Sequence, residues 1–205
     1  MAPEILIDRD DVRLMLAFQG GREDALELLL QRHRTPLVFF LYRMVQDAAV
    51  AEELAQEAFL RVHLARASYR PTAEFTTWLY RIATNRALNW LRDHRREKGS
   101  IWLDTPGANG LRRELKDHSP TIEGRLERED LRRLVRGAVM GLPERQRAAV
   151  LMHKYDELDY SQIAGALGCT VSAVKALLFR AYERLRVQLE PALIEKDRSL
   201  PVTAH

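Results

Sequence analysis

The residues with the most chemistry to offer are arginines, asparagines and tryptophans gathered in one run. Phe75-Thr-Thr-Trp-Leu-Tyr-Arg-Ile-Ala-Thr-Asn-Arg-Ala-Leu-Asn-Trp-Leu-Arg-Asp-His-Arg-Arg96 has helical periodicity. At 100° per residue, Phe75, Leu79, Ile82, Ala83 and Trp90 fall on one side. Thr77, Arg81, Asn85, Arg92 and Arg96 fall on the other, with Trp78 and Asn89 at its margin and Arg95 in the basic cluster that closes the run. Guanidinium groups neutralise phosphates, amides read base edges, and aromatic rings stack on unpaired bases at about 1–3 kcal/mol each. This face therefore suits nucleic acid. Trp90 reads as core packing, whereas Trp78 stands at the border with both roles open. Arg86 lands inside the apolar stripe and must snorkel or find a partner.

The segment just before it has the opposite sign. In Asp47-Ala-Ala-Val-Ala-Glu-Glu-Leu-Ala-Gln-Glu-Ala-Phe-Leu-Arg-Val62, Asp47 is placed to cap a helix. Glu52, Glu53, Gln56 and Glu57 sit about one turn apart, while Leu54, Ala58, Phe59 and Val62 serve the buried side. A surface that contacts DNA is not acidic. The patch calls for a protein partner with a basic surface, where complementary charge speeds and orients docking. A merely solvated acidic face is the alternative if this helix is taken by itself.

A third signal lies near the end of the chain. In Ser161-Gln-Ile-Ala-Gly-Ala-Leu-Gly-Cys-Thr-Val-Ser-Ala-Val-Lys175, Ser161 is read as the cap of a short helix. Gly168 supplies a left-handed end, and Thr170 caps a second helix packed through Val171, Val174, Leu178 and Leu185. That geometry places the start of a second helix in the major groove. The face offered there carries Ser172, Ala173, Lys175, Ala176, Phe179 and Arg180, which can reach phosphates, base edges or thymine methyls. Upstream, Pro143 opens another helix, and Arg145 and Arg147 near its start are placed where they could touch phosphates, although taken alone they read as simple surface charges. The plain alternative is a helical hairpin with a basic solvated face.

No Gly-rich phosphate loop, paired-histidine metal spacing or nucleophile motif occurs, and the six histidines are scattered. Binding rather than catalysis is therefore expected, with no cofactor and no metal. The single cysteine, Cys169, cannot form an internal disulfide and suits a reducing cytoplasm. The first residues lack a basic start and a long apolar stretch, and the longest apolar run, Leu37 to Tyr42, is too short to cross a bilayer. A cytoplasmic protein without membrane insertion is expected. With 32 Lys+Arg against 29 Asp+Glu, what matters is where the charge sits rather than its sum.

The elements that must position these groups are helical throughout, since no stretch alternates as a strand does. The pattern predicts helices over Asp10 to Gln19, closed by Gly20-Gly21, over Arg22 to His33, from Pro36 onward, from Ala48 to about Ala65, and from about Glu74 to Arg96. From Glu97 to Thr121 the periodicity fades and glycine and proline accumulate, as at a domain boundary. The fold class expected is all-α, with two small helical domains joined by a flexible linker. Residues 1–96 form the first domain, 97–121 the linker, 122–190 the second domain, and 191–205 a frayed tail.

Together and in this order, the three segments resemble the RNA polymerase sigma-70 family, in its extracytoplasmic-function group. Ala51-Glu-Glu-Leu-Ala-Gln-Glu-Ala-Phe-Leu-Arg-Val resembles that family's polymerase-binding helix. Phe75-Thr-Thr-Trp-Leu-Tyr-Arg-Ile-Ala-Thr-Asn-Arg-Ala-Leu-Asn resembles its promoter-melting helix. Leu142-Pro-Glu-Arg-Gln-Arg through Val174-Lys-Ala-Leu-Leu-Phe-Arg-Ala resembles its upstream-element reader.

The resemblance implies that Asp47, Glu52, Glu53, Gln56 and Glu57 hold the basic-rimmed coiled coil of the core polymerase clamp. Trp78, Arg81, Asn85, Asn89, Arg92, Arg95 and Arg96 would engage and help melt the −10 element of promoter DNA, with the loop from Ala67 to Glu74 forming the pocket for an extruded base. Arg145, Arg147, Thr170, Ser172, Ala173, Lys175, Ala176, Phe179 and Arg180 would read the −35 element as duplex. The resemblance also implies an anti-sigma factor as a further partner. Some 20 linker residues reach about 65 Å extended and average nearer 25–30 Å as a coil, so the linker tethers the readers without fixing their spacing. Asn89 stands where an aspartate is frequent in the family, and Ala173 and Leu177 replace polar residues, which bears on the promoter sequence rather than on the function. On the residues alone, a helix-turn-helix regulator that is not a polymerase subunit is the competing reading. It would have no use for the acidic helix.

Overall fold

The computed structural model describes residues 9–97 and 122–199. Among them the chain forms α1 (Arg9–Gln19), α2 (Glu23–Val45), α3 (Ala48–Leu64), a single 3-10 turn (Arg66–Ser68), α4 (Phe75–Glu97), α5 (Ile122–Met140), α6 (Glu144–Lys154), α7 (Tyr160–Leu167) and α8 (Val171–Ser199). There is no strand among the described residues. The all-α expectation holds. The segment read as a linker lies almost wholly outside the described residues.

The N-terminal helices pack around α2. Leu29, Leu37, Val38, Phe40, Leu41 and Met44 of α2 are buried together with Leu54, Ala58, Phe59 and Val62 of α3 and Phe75, Leu79 and Ala83 of α4. Two helices were expected where α2 runs unbroken, because Pro36 was read as a start. It lies inside the helix instead. Proline removes one N–H and crowds one carbonyl, and burial of the apolar residues on both sides of it outweighs that local loss. The end of α2 is set by Gln46 in a left-handed conformation (φ 58).

The helix α1 is tied to α2 through Asp11, a fully buried carboxylate. It accepts from Arg32 and sits 2.5 Å from Nε2 of His33. Burial alone raises an acid's pKa, but the His33 hydrogen bond and the charges of His33 and Arg32 outweigh it and hold the Asp11 carboxyl below its ordinary value.

The C-terminal helices bury Leu142, Leu151, Met152, Ile163, Leu167, Val174, Leu178 and Ala181, which are continuous with the N-terminal core in one apolar cluster. Asp159, not Ser161, caps α7. Its carboxylate accepts from Ser161 and Gln162 backbone N–H groups, and the Gln162 side chain returns the bond in a capping box. Ser161 is already inside the first turn. Gly168 closes α7 in the left-handed conformation (φ 60), and Thr170 Oγ1 accepts from Ala173 N at 3.2 Å to start α8, both as expected. The helix then continues through Pro191 to Ser199, into the segment expected to be a frayed tail.

The two helical domains are in contact. Thr77 faces Gly165 of α7, Gln162 of α7 donates to Glu74 at the entry to α4, and Arg147 of α6 reaches the Met44 carbonyl at the end of α2. No single helix among the described residues is long and apolar enough to cross a membrane.

Candidate polymerase and nucleic-acid surfaces

The acidic residues of α3 divide into two groups. Asp47 caps the helix, accepting from Val50 N at 3.1 Å, and stays exposed. Glu52 pairs with Arg34 at 2.9 Å and Glu57 with Arg86 at 2.6 Å. Arg86, the cation stranded in the apolar stripe of α4, thus finds its partner on the neighbouring helix. Glu53 and Gln56 point outward. The same row continues into Leu60 and Leu64, which are 57% and 72% exposed. Sequence reasoning missed these two, although neither falls on the buried set of α3. The surface is therefore acidic at its start and apolar at its end.

On α4, Arg81, Asn85, Asn89 and Arg92 are all exposed. Steps of three and four residues place them on one stripe. Arg92 also contacts Asp93 at 3.3 Å. The side chains of Arg95 and Arg96 lie outside the described residues. Thr77, expected on this polar face, is only 6% exposed. The cause is tertiary, since α7 covers the first turn of α4 on that side. Tyr80 is buried as well, and both its burial and the adjacent Asp156 carboxylate, to which it is hydrogen bonded, raise its hydroxyl far above the usual value.

Trp78 is half-buried, with its ring 5.0 Å from Tyr69 and 6.1 Å from Phe75. Tyr69 itself is buried. The loop before α4 is fixed from behind by Gln19, whose Nε2 donates to the carbonyls of Arg66, Ala67 and Tyr69. An ion pair between Arg66 and Glu23 at 2.7 Å adds to it. These supporting residues had no signal in the sequence, because they act across about fifty positions. Trp90 is half-buried and stacked on His94 at 3.9 Å, so it packs against the core from its edge.

On α8, Thr170, Ser172, Lys175, Ala176, Phe179 and Arg180 are exposed and Ala173 is half-buried. Phe179 is 68% exposed, a large apolar ring with no intramolecular reason to face water. Arg180 Nε donates back to the Ala176 carbonyl at 3.0 Å, which sets its side chain along the helix. Arg145 is exposed but donates to the Leu167 carbonyl at 2.8 Å, closing the end of α7.

Arg147 corrects the sequence reading. It is 5% exposed and donates to the carbonyls of Met44 at 2.7 Å, Met140 at 2.7 Å and Leu142 at 3.3 Å. A phosphate contact needs the guanidinium in solvent, whereas this one satisfies carbonyls at and just beyond helix C-termini, where a cation is favoured. The sequence placed it near a helix start but could not show that α2 and α5 end against it.

The chain matches two family models, Sigma-70 region 2 over residues 29–97 and Sigma-70, region 4 over residues 132–185. It is 32% identical over 194 residues to the RNA polymerase sigma-H factor of Pseudomonas aeruginosa, covering 93% of this chain and 100% of that protein. It is also 32% identical over 185 residues to the ECF RNA polymerase sigma-E factor of Escherichia coli K12, covering 89% and 96%. Among solved structures it is similar to CnrH in complex with the cytosolic domain of CnrY, with TM-score 0.65, 19% identity and coverage of 89% and 98%. It is also similar to the sigma factor RpoE of Bartonella quintana in complex with the anti-sigma factor NepR, with TM-score 0.62, 18% identity and coverage of 80% and 96%. The exposed basic stripe on α4, the acidic row on α3 and the exposed face of α8 lie within the two matched regions, and the chain belongs to the sigma-70 family of RNA polymerase sigma factors, in its ECF group.

Proposed function

We propose a division of labour among the three surfaces of this sigma factor, which directs promoter-specific transcription. The α3 row of Asp47, Glu53, Gln56, Leu60 and Leu64 docks on the clamp coiled coil of core polymerase, with Glu52 and Glu57 bracing it through their arginine partners. The α4 stripe of Arg81, Asn85, Asn89 and Arg92, followed by Arg95 and Arg96, engages the −10 element, and Trp78 at its border faces the melted strand. The α8 face from Thr170 to Arg180 reads the −35 element as duplex, with Arg145 at its edge and Arg147 serving the fold. The protein acts by binding, without catalysis of its own, in the cytoplasm where polymerase and promoter DNA are. An anti-sigma factor is the natural regulator, by likeness to the B. quintana complex.

The observation that carries this reading is the pair of exposed faces of opposite character on adjacent helices, Glu53 and Gln56 on α3 and Arg81, Asn85, Asn89 and Arg92 on α4. Opposite charges on neighbouring faces let one domain hold a basic protein and an acidic polymer together. The test is Glu53→Lys with Gln56→Lys, which leaves both inter-helix ion pairs intact. Core polymerase binding should fall at least about tenfold, the scale of one lost charge pair made repulsive, while binding to −35 duplex is kept. Unchanged polymerase binding would place the docking surface elsewhere.

A further inference from the structure

The last residue of α1 spends its hydrogen bonds on a distant segment. Gln19 ends α1, and its Nε2 donates to the carbonyls of Arg66 at 2.9 Å, Ala67 at 3.1 Å and Tyr69 at 3.3 Å. A side-chain amide has only two N–H groups, so three carbonyls share them. A glutamine that only closed its own helix would use its amide on its own turn or on water. This one reaches across 47 to 50 positions.

Two further contacts bring the same turn to the same end of α1. Phe18 is fully buried, and the Arg66 guanidinium lies 5.2 Å from its ring centroid. Arg66 also pairs with Glu23, the first residue of α2, at 2.7 Å. That pair is exposed, where an ion pair contributes little. The Gln19 amide, half-buried and bonded to the backbone itself, is the stronger hold.

What matters is what the turn carries. Tyr69 ends it, is buried, and has its ring 5.0 Å from that of Trp78. The Tyr69 hydroxyl is buried and has no hydrogen-bond partner among the described residues. Backbone and packing alone therefore locate the ring, and Gln19 holds the backbone. Trp78 is half-buried at the head of the exposed α4 stripe. Aromatic contacts depend on ring orientation, so a shifted Tyr69 leaves the indole free to turn.

We propose that Gln19 is a positioning residue for promoter opening: from α1 it fixes the 66–69 turn, Tyr69 then braces Trp78, and the indole is held ready for an unpaired base of the −10 element. This rests on the sigma-factor reading above. The α1 helix precedes residues 29–97, which match the Sigma-70 region 2 model, so promoter opening draws on a helix ahead of that match. Gln19 itself touches no DNA. It acts on how far binding to the unpaired strand offsets the cost of unpairing, and its effect is confined to templates that have to be opened.

The experiment uses the full chain with core polymerase, on a promoter mapped from the transcripts that the parent makes on its own genomic DNA. The promoter is supplied as intact duplex and with the −10 element already unpaired by mismatches. Fluorescence of 2-aminopurine in the −10 element of the duplex reports opening, and transcript yield is read on both templates. Gln19→Met keeps the side-chain length and removes the donors. Opening and yield on the duplex should fall about five- to tenfold, the scale of one net hydrogen bond, while yield on the unpaired template stays within about twofold of the parent. Gln19→Glu keeps the shape but turns a carboxylate on three carbonyls, and should lose more on the duplex and recover likewise. The proposal is overturned if either variant opens the duplex as well as the parent. It is equally overturned if yield falls alike on both templates, since a general loss of fold or of polymerase binding lowers both. A parent that makes no promoter-specific transcript on genomic DNA would instead sink the sigma-factor reading.

Discussion

The exposed faces of α4 and α8, the two helices proposed to read DNA, are presented differently by the same molecule. The polar face of α8 is open from Thr170 through Phe179 and Arg180, and its start is capped from within its own domain. The α4 stripe is open only from Arg81 onward. Its first turn is covered at Thr77, and its entry residue Glu74 is bonded to Gln162 of the other domain. The C-terminal face is thus fully presented to a ligand, while the first turn of α4 is given over to contact with α7. The two faces differ in how much of each the fold leaves available.

The largest effect that would break this comparison comes from Arg147. If it serves the fold, Arg147→Ala should cost about 3 kcal/mol in thermal or urea unfolding, because a buried charged donor to several carbonyls is lost. Binding of −35 duplex by the molecules that remain folded should stay within about twofold, a change of only about 0.4 kcal/mol. A stable variant with uniformly weaker DNA binding would return Arg147 to the surface of the argument as a phosphate contact.

Next comes Arg180, on the open face. Arg180→Ala should weaken −35 duplex binding by about 1–3 kcal/mol if the guanidinium reads a base pair, with the loss confined to templates that carry the preferred sequence. Competition binding on matched and scrambled duplexes measures it. Equal loss on both would mean that α8 holds phosphate at this position and takes its specificity from Ser172, Lys175 and Phe179.

Much of this was legible in the chain, and what was not has a physical reason. Local signals held where local physics decides: the Asp47 cap, the left-handed Gly168, the Thr170 cap and the length of α4. Pro36 misled because a helix start and a helix interior differ only in whether apolar residues on both sides find a core. Ser161 misled because Asp159, two residues earlier, already starts the helix by accepting from the Ser161 and Gln162 N–H groups. The exposure of Arg81, Asn85, Asn89 and Lys175 was legible from periodicity. Thr77 and Arg147 were misread because both are governed by contacts with distant segments, α7 for one and the ends of α2 and α5 for the other. Leu60 and Leu64 show the reverse case. Apolar residues are assigned to a core by habit, and only the finished packing reveals that the core had no room on that side of α3.

The smallest effect tests whether α8 is as self-sufficient as the comparison holds. Its first turn depends on Thr170 Oγ1 accepting from Ala173 N, a bond made wholly within the C-terminal domain. Thr170→Ala should lower stability by about 1 kcal/mol, the usual cost of a lost N-cap, and loosen the turn that carries Ser172 and Ala173 toward the groove. Thr170→Ser keeps the hydroxyl and should recover both stability and duplex affinity. Equal losses of affinity in Thr170→Ala and Thr170→Ser would mean that the Thr170 methyl, and not the cap, carries the effect, and that the first turn of α8 is held by its packing rather than by the Ala173 N–H bond.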